Sequence, residues 1–328
     1  MLIAKTPFRI SLFGGGSDYP QHFEKHGGAV IAGSINKYCF ITYRNVNQDF
    51  GTKYRVRYSF SEASTTIDGI AHPAVKALLK YFKINYPVEI NHSADLPARS
   101  GIGSSSSFVT GLTSILLREK NIELTNHELS QLVVDIEQNY ILENVGYQDS
   151  VTAVYGGLNL IEFSNNNKKF VVNEITASTD YLRELSSNMM LVRIASPRIA
   201  SEIAKEQIAT INQHSIELTY LASLARDCAE QLNCEKLEIN EIGNLLNESW
   251  EIKKKQSSLI TNSEIDSFYE FAKSNGAIGG KLCGAGAGGF FLIAIPKNLK
   301  TSFRSAATGL DCVDFEWDFN GNSVIQIY

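Results

Sequence analysis

Apolar residues recur at helical spacing in two neighbouring stretches of this chain. Phe108, Val109, Leu112, Ile115 and Leu116 predict a helix over 105–120, and Leu129, Leu132, Val133, Ile136, Tyr140 and Ile141 predict the buried face of a second. The second opens on Thr125-Asn126-His127-Glu128, the pattern of a capping box. His72 to Phe82 also reads as helix. β-branched and aromatic residues fill Ala29–Tyr43 and Tyr54–Phe60, which predict strands. Tyr155-Gly156-Gly157 turns into a further strand at Leu158–Ile161, and Ser164-Asn165-Asn166-Asn167 punctuates a surface hairpin. The second half is helical from about Arg198 to Lys255 and again from Ser263 to Ser274, with Gly276 as a stop. It ends strand-like, at Phe290–Ile295 and Val324–Tyr328. The change of pattern near residue 180 divides the chain into domains 1–180 and 181–328.

Composition narrows the classes. The 328 residues suffice for two domains, and 44% hydrophobic content is that of a folded globular chain. No apolar run approaches the roughly 18 residues of a membrane span, and the first residues lack the apolar core of a signal peptide. A net charge of −5 argues against a nucleic-acid partner. Five cysteines without C-x-x-C spacing make disulfides and a cysteine zinc site unexpected, which fits a cytoplasmic protein. The six histidines show no H-x-x-x-H pattern, and no G-x-S-x-G elbow is present.

Chemistry concentrates in three glycine-rich segments. Gly101-Ile102-Gly103-Ser104-Ser105-Ser106 leads into the first helix above. A helix N-terminus carries unpaired N–H groups and partial positive charge, so it attracts phosphate, and glycines let the backbone approach closely. The segment is not G-x-x-x-x-G-K-[ST], so it is not the common P-loop, and serines before a helix are often only caps. Near the N-terminus, Arg9 stands on a strand that runs into Gly14-Gly15-Gly16-Ser17-Asp18. These residues read either as a turn capped by Asp18 or as a cradle for a polar substrate. Lys281-Leu282-Cys283-Gly284-Ala285-Gly286-Ala287-Gly288-Gly289 satisfies G-x-G-x-x-G, but a strand follows it, whereas a dinucleotide fingerprint must open a helix. A dehydrogenase is thereby rejected, and the loop is expected to touch a substrate or shape a cleft wall. Glu137 falls at the border of the second helix's buried stripe. Asp149 follows Gly146-Tyr147-Gln148. Beside a phosphate loop the two carboxylates suggest a metal ligand and a base.

The three segments, in this order and over nearly the whole length, resemble the motifs of the galactokinase, homoserine kinase, mevalonate kinase and phosphomevalonate kinase (GHMP) superfamily. Within it the chain is most similar to D-glycero-D-manno-heptose 7-phosphate kinases, through Gly14–Asp18, Gly146–Asp149, Arg198-Ile199-Ala200-Ser201-Glu202-Ile203, Trp250–Lys253 and Gly276–Lys281. Ser17 stands where that group more often has Thr, and Ser106-Ser107 stand where many superfamily members carry alanines.

The resemblance implies an α+β fold of two domains with the active site in the cleft between them, and ATP with Mg2+ as cofactors. It implies that Gly101 to Ser106 wrap the phosphates, that Ser105 and Glu137 hold the metal, and that Asp149 is the base with Arg9 as its electrostatic partner. Gly15, Gly16, Ser17, Asp18 and Gly286 would meet the sugar. Arg198, Lys253 and Lys281 are the cations available for a distal phosphate. The expected partner is a small-molecule sugar phosphate, with a homodimer allowed and neither nucleic acid nor membrane involved. The implied reaction is phosphorylation of the anomeric hydroxyl of the heptose 7-phosphate. The rivals are another GHMP sugar kinase, such as a fucokinase, and a catalytically silent sugar or nucleotide sensor on the same fold.

Overall fold

The computed structural model describes residues 1–46, 51–166, 169–194, 200–286 and 288–327. Its order is β1 (Leu2–Phe13), α1 (Pro20–His26), β2 (Gly28–Asn45), β3 (Tyr54–Arg57), β4 (Ser61–Ser64), α2 (Pro73–Tyr81), β5 (Val88–Ala94), α3 (Ser104–Glu119), α4 (Asn126–Asp135), α5 (Gln148–Tyr155), β6 (Leu158–Phe163), β7 (Phe170–Glu174), α6 (Thr179–Ser187), β8 (Met189–Ile194), α7 (Ala200–Thr210), α8 (Ser215–Asn233), α9 (Ile239–Lys255), α10 (Ser263–Ser274), β9 (Gly279–Leu282), β10 (Gly289–Ala294), α11 (Lys300–Ala306), β11 (Cys312–Val313) and β12 (Ser323–Gln326).

Two sheets organise the chain. The first runs β12-β1-β2-β5-β3-β4, and β2 also pairs β6, which pairs β7. Besides β1, β2 serves two further partners because it is 18 residues long: Gly28–Gly33 face β6 and Cys39–Asn45 face β5. The second sheet runs β11-β8-β10-β9. β1 is almost continuously buried and β10 almost continuously apolar and buried, as strands covered on both faces are. Ile10, Ile31, Ile41, Leu112 and Leu116 share the main core, while Met190, Val192, Trp250, Phe291 and Ile293 fill a second under α9 and α10. The last strand, β12, returns to pair with β1, so the C-terminus closes the first sheet.

Most predicted elements stand where the periodicity put them. The Thr125 capping box forms as expected, with both reciprocal hydrogen bonds. Two differences have physical causes. α4 ends at Asp135 and continues as a wider π-helical turn over Ile136–Ile141. The wider turn changes the register, so Tyr140 is 52% exposed instead of lying on the buried face, and Glu137 is fully buried instead of bordering it. The strand predicted over Tyr54–Phe60 stops at Arg57, and Tyr58 and Phe60 turn toward the cleft instead.

Candidate active site

A cavity of about 1100 Å³ lies between the two halves. Its walls come from β1, the Gly15–Asp18 turn, the start of α3 and the start of α5 on one side, and from Gln207, His214, Lys253, Gln256, Lys281 and Ala285 on the other.

Arg9 and Asp149 form its centre. Arg9 Nε lies 2.7 Å from Asp149 Oδ1 and Nη2 lies 2.7 Å from Oδ2, a two-pronged ion pair. Nη1 donates to Gly101 O at 2.6 Å, and the Arg9 N–H donates to Ile102 O at 3.0 Å. One side chain thus joins β1, the serine-rich loop and α5. Burial pulls the Arg9 pKa down, but the adjacent Asp149 carboxylate more than reverses this, and the guanidinium stays charged.

Gly103 caps α3 in the left-handed conformation (φ 75°), and a Cβ there would stand 3.5 Å from Asp149 Oδ2. The carboxylate therefore sits at the mouth of the α3 N-terminus, where unpaired N–H groups face the cavity. Gly101, Gly103, Ser104, Ser105 and Ser106 all line the cavity. Ile102 does not; its side chain is fully buried in the core. The serines divide their work. Ser104 Oγ accepts the Arg99 N–H at 3.2 Å and Ser107 Oγ donates to Pro7 O at 2.8 Å, holding the loop, while Ser105 is exposed in the cavity wall.

Glu137 is clamped between α3 and α5. Ser106 Oγ donates to Oε1 at 2.7 Å and Ser150 Oγ to Oε2 at 2.5 Å. Ser106, rather than Ser105, is thus the serine joined to this carboxylate. Burial pushes the Glu137 pKa up to about 7, against the pull of the two serine hydrogen bonds. Among the described residues no three His, Cys, Asp or Glu side chains form a cage. Mg2+ does not require one, because it is commonly held by one or two carboxylates with substrate phosphates and water. Glu137 is fully buried and does not itself line the cavity; it reaches the wall through Ser106, and the oxygen donors of Glu137 and the exposed Ser105 are of the type Mg2+ takes.

The residues expected to meet a substrate separate into groups. Gly15, Gly16 and Asp18 line the cavity. Asp18 is 1% exposed, and its carboxylate accepts the N–H groups of Gly16 and Gln148, each at 3.1 Å, and Gln148 Nε2 at 3.3 Å. Burial pushes its pKa up to about 6, and the Gln148 hydrogen bond opposes the shift. Gly146 makes the approach possible, since a Cβ there would fall 2.0 Å from Asp18 Oδ2. Ser17 does not reach the cavity. It is fully buried, its hydroxyl lies 2.8 Å from Gly14 O and 3.0 Å from Ala29 O, and it accepts the Ala29 N–H at 3.1 Å, so it staples the turn to β2. Gly286 also lies off the cavity wall, where a Cβ would meet the Ile260 backbone at 3.0 Å. Arg198 falls outside the described residues.

The third glycine segment shapes the wall through backbone contact. A Cβ on Gly284 would meet Gly101 Cα at 2.6 Å, and the Phe290 N–H donates to Ser100 O at 2.9 Å. Lys281 Nζ donates to Leu12 O at 3.0 Å; Lys253 Nζ donates to Leu282 O at 3.0 Å and to Gly284 O. Neither ammonium has a carboxylate within ion-pair distance among the described residues. Burial lowers Lys253 to about 7, with Lys281 adding to the shift, and burial lowers Lys281 to about 8.

Several contributors escaped sequence reasoning. Tyr58, Phe60, His72, His92 and Phe108 gather at one end of the cavity. The His72 and Phe108 rings stack with centroids 4.9 Å apart, and Tyr58 meets His72 edge-on at 4.8 Å. They come from separate elements, so no spacing links them. Ser150 was missed too, although its place one residue after Asp149 was a usable signal.

Comparison with known proteins accords with this geometry. Residues 69–157 match the GHMP kinases N terminal domain and residues 231–307 the GHMP kinases C terminal domain, together about half of the chain. The chain belongs to the GHMP kinase family. It is a two-domain α+β protein and an ATP-dependent small-molecule kinase. The chain is 28% identical over 312 residues to D-glycero-alpha-D-manno-heptose 7-phosphate kinase of Campylobacter jejuni, covering 92% of this chain and 91% of the relative. It is 25% identical to the bifunctional fucokinase/GDP-fucose pyrophosphorylase of Arabidopsis thaliana, covering 88% of this chain but 29% of that larger protein. The crystal structure of a D-glycero-D-manno-heptose 1-phosphate kinase from Bacteriodes thetaiotaomicron shares the fold, with a TM-score of 0.76 at 24% identity and full coverage of both chains.

Proposed function

We propose that this kinase transfers the γ-phosphoryl group of ATP to the anomeric hydroxyl of D-glycero-D-manno-heptose 7-phosphate, giving the 1,7-bisphosphate. The observation that carries the reading is the Asp149 carboxylate, held two-pronged by Arg9 at the N-terminus of α3. Phosphoryl transfer is chiefly positioning and charge neutralisation. The Gly101–Ser106 backbone and the helix dipole receive the phosphates. Asp149 takes the proton from the anomeric oxygen as the new O–P bond forms and the bond to ADP breaks. Arg9 fixes the direction of that carboxylate and places positive charge beside the transferring group. Glu137 and Ser105, with Ser106 joining the carboxylate to the loop, would hold Mg2+, which would supply further charge neutralisation on the phosphates. The aromatic cluster of Tyr58, His72 and Phe108 offers flat apolar surface to the adenine.

The phosphate on the sugar falls to the opposite wall. Among the described residues Lys253 has no carboxylate partner, and Gln256, which caps the end of α9 at the wall, has an Nε2 with no acceptor. Lys281 stands behind them. An ammonium without a countercharge and an amide donor without an acceptor suit a phosphate monoester. The similarity to the Campylobacter heptose 7-phosphate kinase supports the same choice. We divide the chain near residue 180 into a phosphate-loop domain and a glycine-wall domain. No described helix is long and apolar enough to cross a membrane, and the five cysteines are free; we place the reaction in the cytoplasm.

The test is ADP release from Mg-ATP with D-glycero-D-manno-heptose 7-phosphate, fucose, galactose and mannose. Turnover with the heptose phosphate alone upholds the reading. Turnover with a neutral sugar keeps the sugar kinase and discards the heptose assignment. ATP binding with no turnover of any acceptor points to a sensor.

A further inference from the structure

Beside Asp149 the cavity wall carries two buried polar atoms without a partner among the described residues. They are Ser11 Oγ and Gln148 Oε1, and both residues line the cavity. Gly15 lies beside both side chains, since a Cβ there would stand 3.2 Å from Ser11 Oγ and 3.8 Å from Gln148 Nε2. The absent side chain at Gly15 leaves that space free for a group that both side chains could meet. Asp18 fixes the amide's orientation by accepting the Gln148 N–H at 3.1 Å and Nε2 at 3.3 Å. Gln148 Oε1 can therefore only accept, and turning the amide over would set its oxygen against the Asp18 carboxylate. Folded proteins seldom leave buried polar atoms unpaired, and two in one wall call for an explanation.

We infer that Gln148 Oε1 and Ser11 Oγ bind the acceptor hydroxyl next to the one that reacts, with Asp18 acting through Gln148 instead of touching the sugar. The inference rests on the sugar-kinase reading. Gln148 adjoins Asp149 at the start of α5, so the hydroxyl it meets is the one vicinal to the anomeric oxygen, O2 of the sugar. That hydroxyl donates to Gln148 Oε1, and its oxygen lone pairs accept the Ser11 O–H. Both orphaned atoms are then satisfied by one substrate group. A trapped water could satisfy them equally well, and the two cases predict different kinetics.

The experiment compares D-glycero-D-manno-heptose 7-phosphate with its 2-deoxy analogue in the full-length protein, using Mg-ATP and ADP release, for wild type, Gln148→Met and Ser11→Ala. A site built to hydrogen-bond a substrate hydroxyl rejects the analogue that lacks it. Wild type is expected to favour the natural acceptor in kcat/KM by about 10²-fold or more. Gln148→Met should collapse that preference to less than about tenfold by slowing the natural acceptor alone, with KM for ATP unchanged. Ser11→Ala breaks no protein hydrogen bond, so Tm should hold or rise while the preference falls. Its kinetics keep the inference testable if Gln148→Met does not fold. Wild-type preference retained in Ser11→Ala and in folded Gln148→Met overturns the inference and leaves the heptose reading standing. A wild-type protein that turns over neither acceptor overturns the heptose reading, and the inference falls with it.

Discussion

Replacing Asp149 by Asn separates chemistry from architecture at the centre of the site. The amide keeps the shape of the carboxylate and one acceptor for Arg9, but loses both the negative charge and the ability to take a proton. A positioned base contributes about 10²–10⁴-fold, equivalent to about 3–5 kcal/mol of barrier. The structural cost is separate. Arg9 is 4% exposed at its side chain and Asp149 21%, so the pair is only partly screened. Breaking a buried pair by removing one partner costs about 3–5 kcal/mol, and the remaining amide acceptor together with Asp149's exposure reduces that to roughly 1–3. Asp149→Asn should therefore fold, melt a few degrees lower, and lose roughly two to four orders of magnitude in kcat. In the proposed site the Gly101–Ser106 loop would meet ATP without passing through Asp149, so KM for ATP should stay within about twofold. Single-turnover ADP release at saturating Mg-ATP and acceptor measures the chemical step, with circular dichroism to check the fold. A folded variant with kcat within tenfold of wild type refutes the assignment. A rise in the ATP KM that matches the fall in kcat would instead make Asp149 a brace for the loop, acting through the Arg9–Gly101 contact.

Glu137→Gln should stabilise the protein as it disables it. Glu137's pKa is raised from 4.5 in the unfolded chain to about 7, so both states are protonated at low pH and the stabilising proton is lost as pH rises from about 4.5 to 7. The variant's advantage in unfolding free energy should be near zero at pH 4.5 and about 3 kcal/mol at pH 8, read by urea denaturation without Mg2+; a difference independent of pH contradicts the clamped, buried carboxylate. Gly284→Ala forces a Cβ to within 2.6 Å of Gly101 Cα at a backbone φ of +71°, so it should cost about 2 kcal/mol or more and raise the KM for ATP; unchanged Tm and KM would show that the two loops move apart freely. Lys253 and Lys281, near 7 and 8, should regain their protons when a phosphate dianion binds, taking up roughly one proton in total at pH 8. Calorimetry of the sugar phosphate in buffers of different ionisation enthalpy reads that number, and zero uptake removes both lysines from the phosphate site.

What the sequence disclosed, and what it withheld, follows from the range of the interactions. Helical spacing placed α3 and α10 because 3.6-residue periodicity is local, and the Thr125 capping box is a four-residue signal. The glycines of Gly101–Ser106 announced close backbone approach, but the partner of that approach, Gly284, lies 183 residues later and is visible only once the sheets are assembled. Glu137 was legible as a candidate, though not as a buried group, because a π-helical turn shifted its register by an amount no 3.6-residue pattern carries. Ser17 misled for the opposite reason. A hydroxyl beside glycines fits a binding cradle and a turn staple equally well, and only the backbone of Ala29 decides between them. The aromatic end of the cavity was invisible because its residues share no element and no spacing.

The electrostatic layout shows why this cleft suits anions on two sides. Arg9, Lys253 and Lys281 lie close enough that Lys253 feels both of the others; the carboxylates that act on Arg9 are Asp149 and the buried Asp18, and neither acts on the lysines. Asp149 is committed to Arg9, and burial holds Asp18 nearer neutrality than an ordinary aspartate, with a pKa of about 6. Desolvation has thus driven both lysines partway to neutrality instead of pairing them. A group held in that condition gains most from a ligand that brings its own negative charge, because the ligand restores the charge that burial opposed. Carbonyl acceptors at Leu12, Leu282 and Gly284 hold the ammoniums in place but supply no countercharge. The α3 N-terminus makes the same demand from the other wall through its unpaired N–H groups. Two anion-seeking surfaces facing the Asp149 carboxylate suit the proposed reaction, whose donor and acceptor both carry phosphate; a neutral sugar would answer only the first of them.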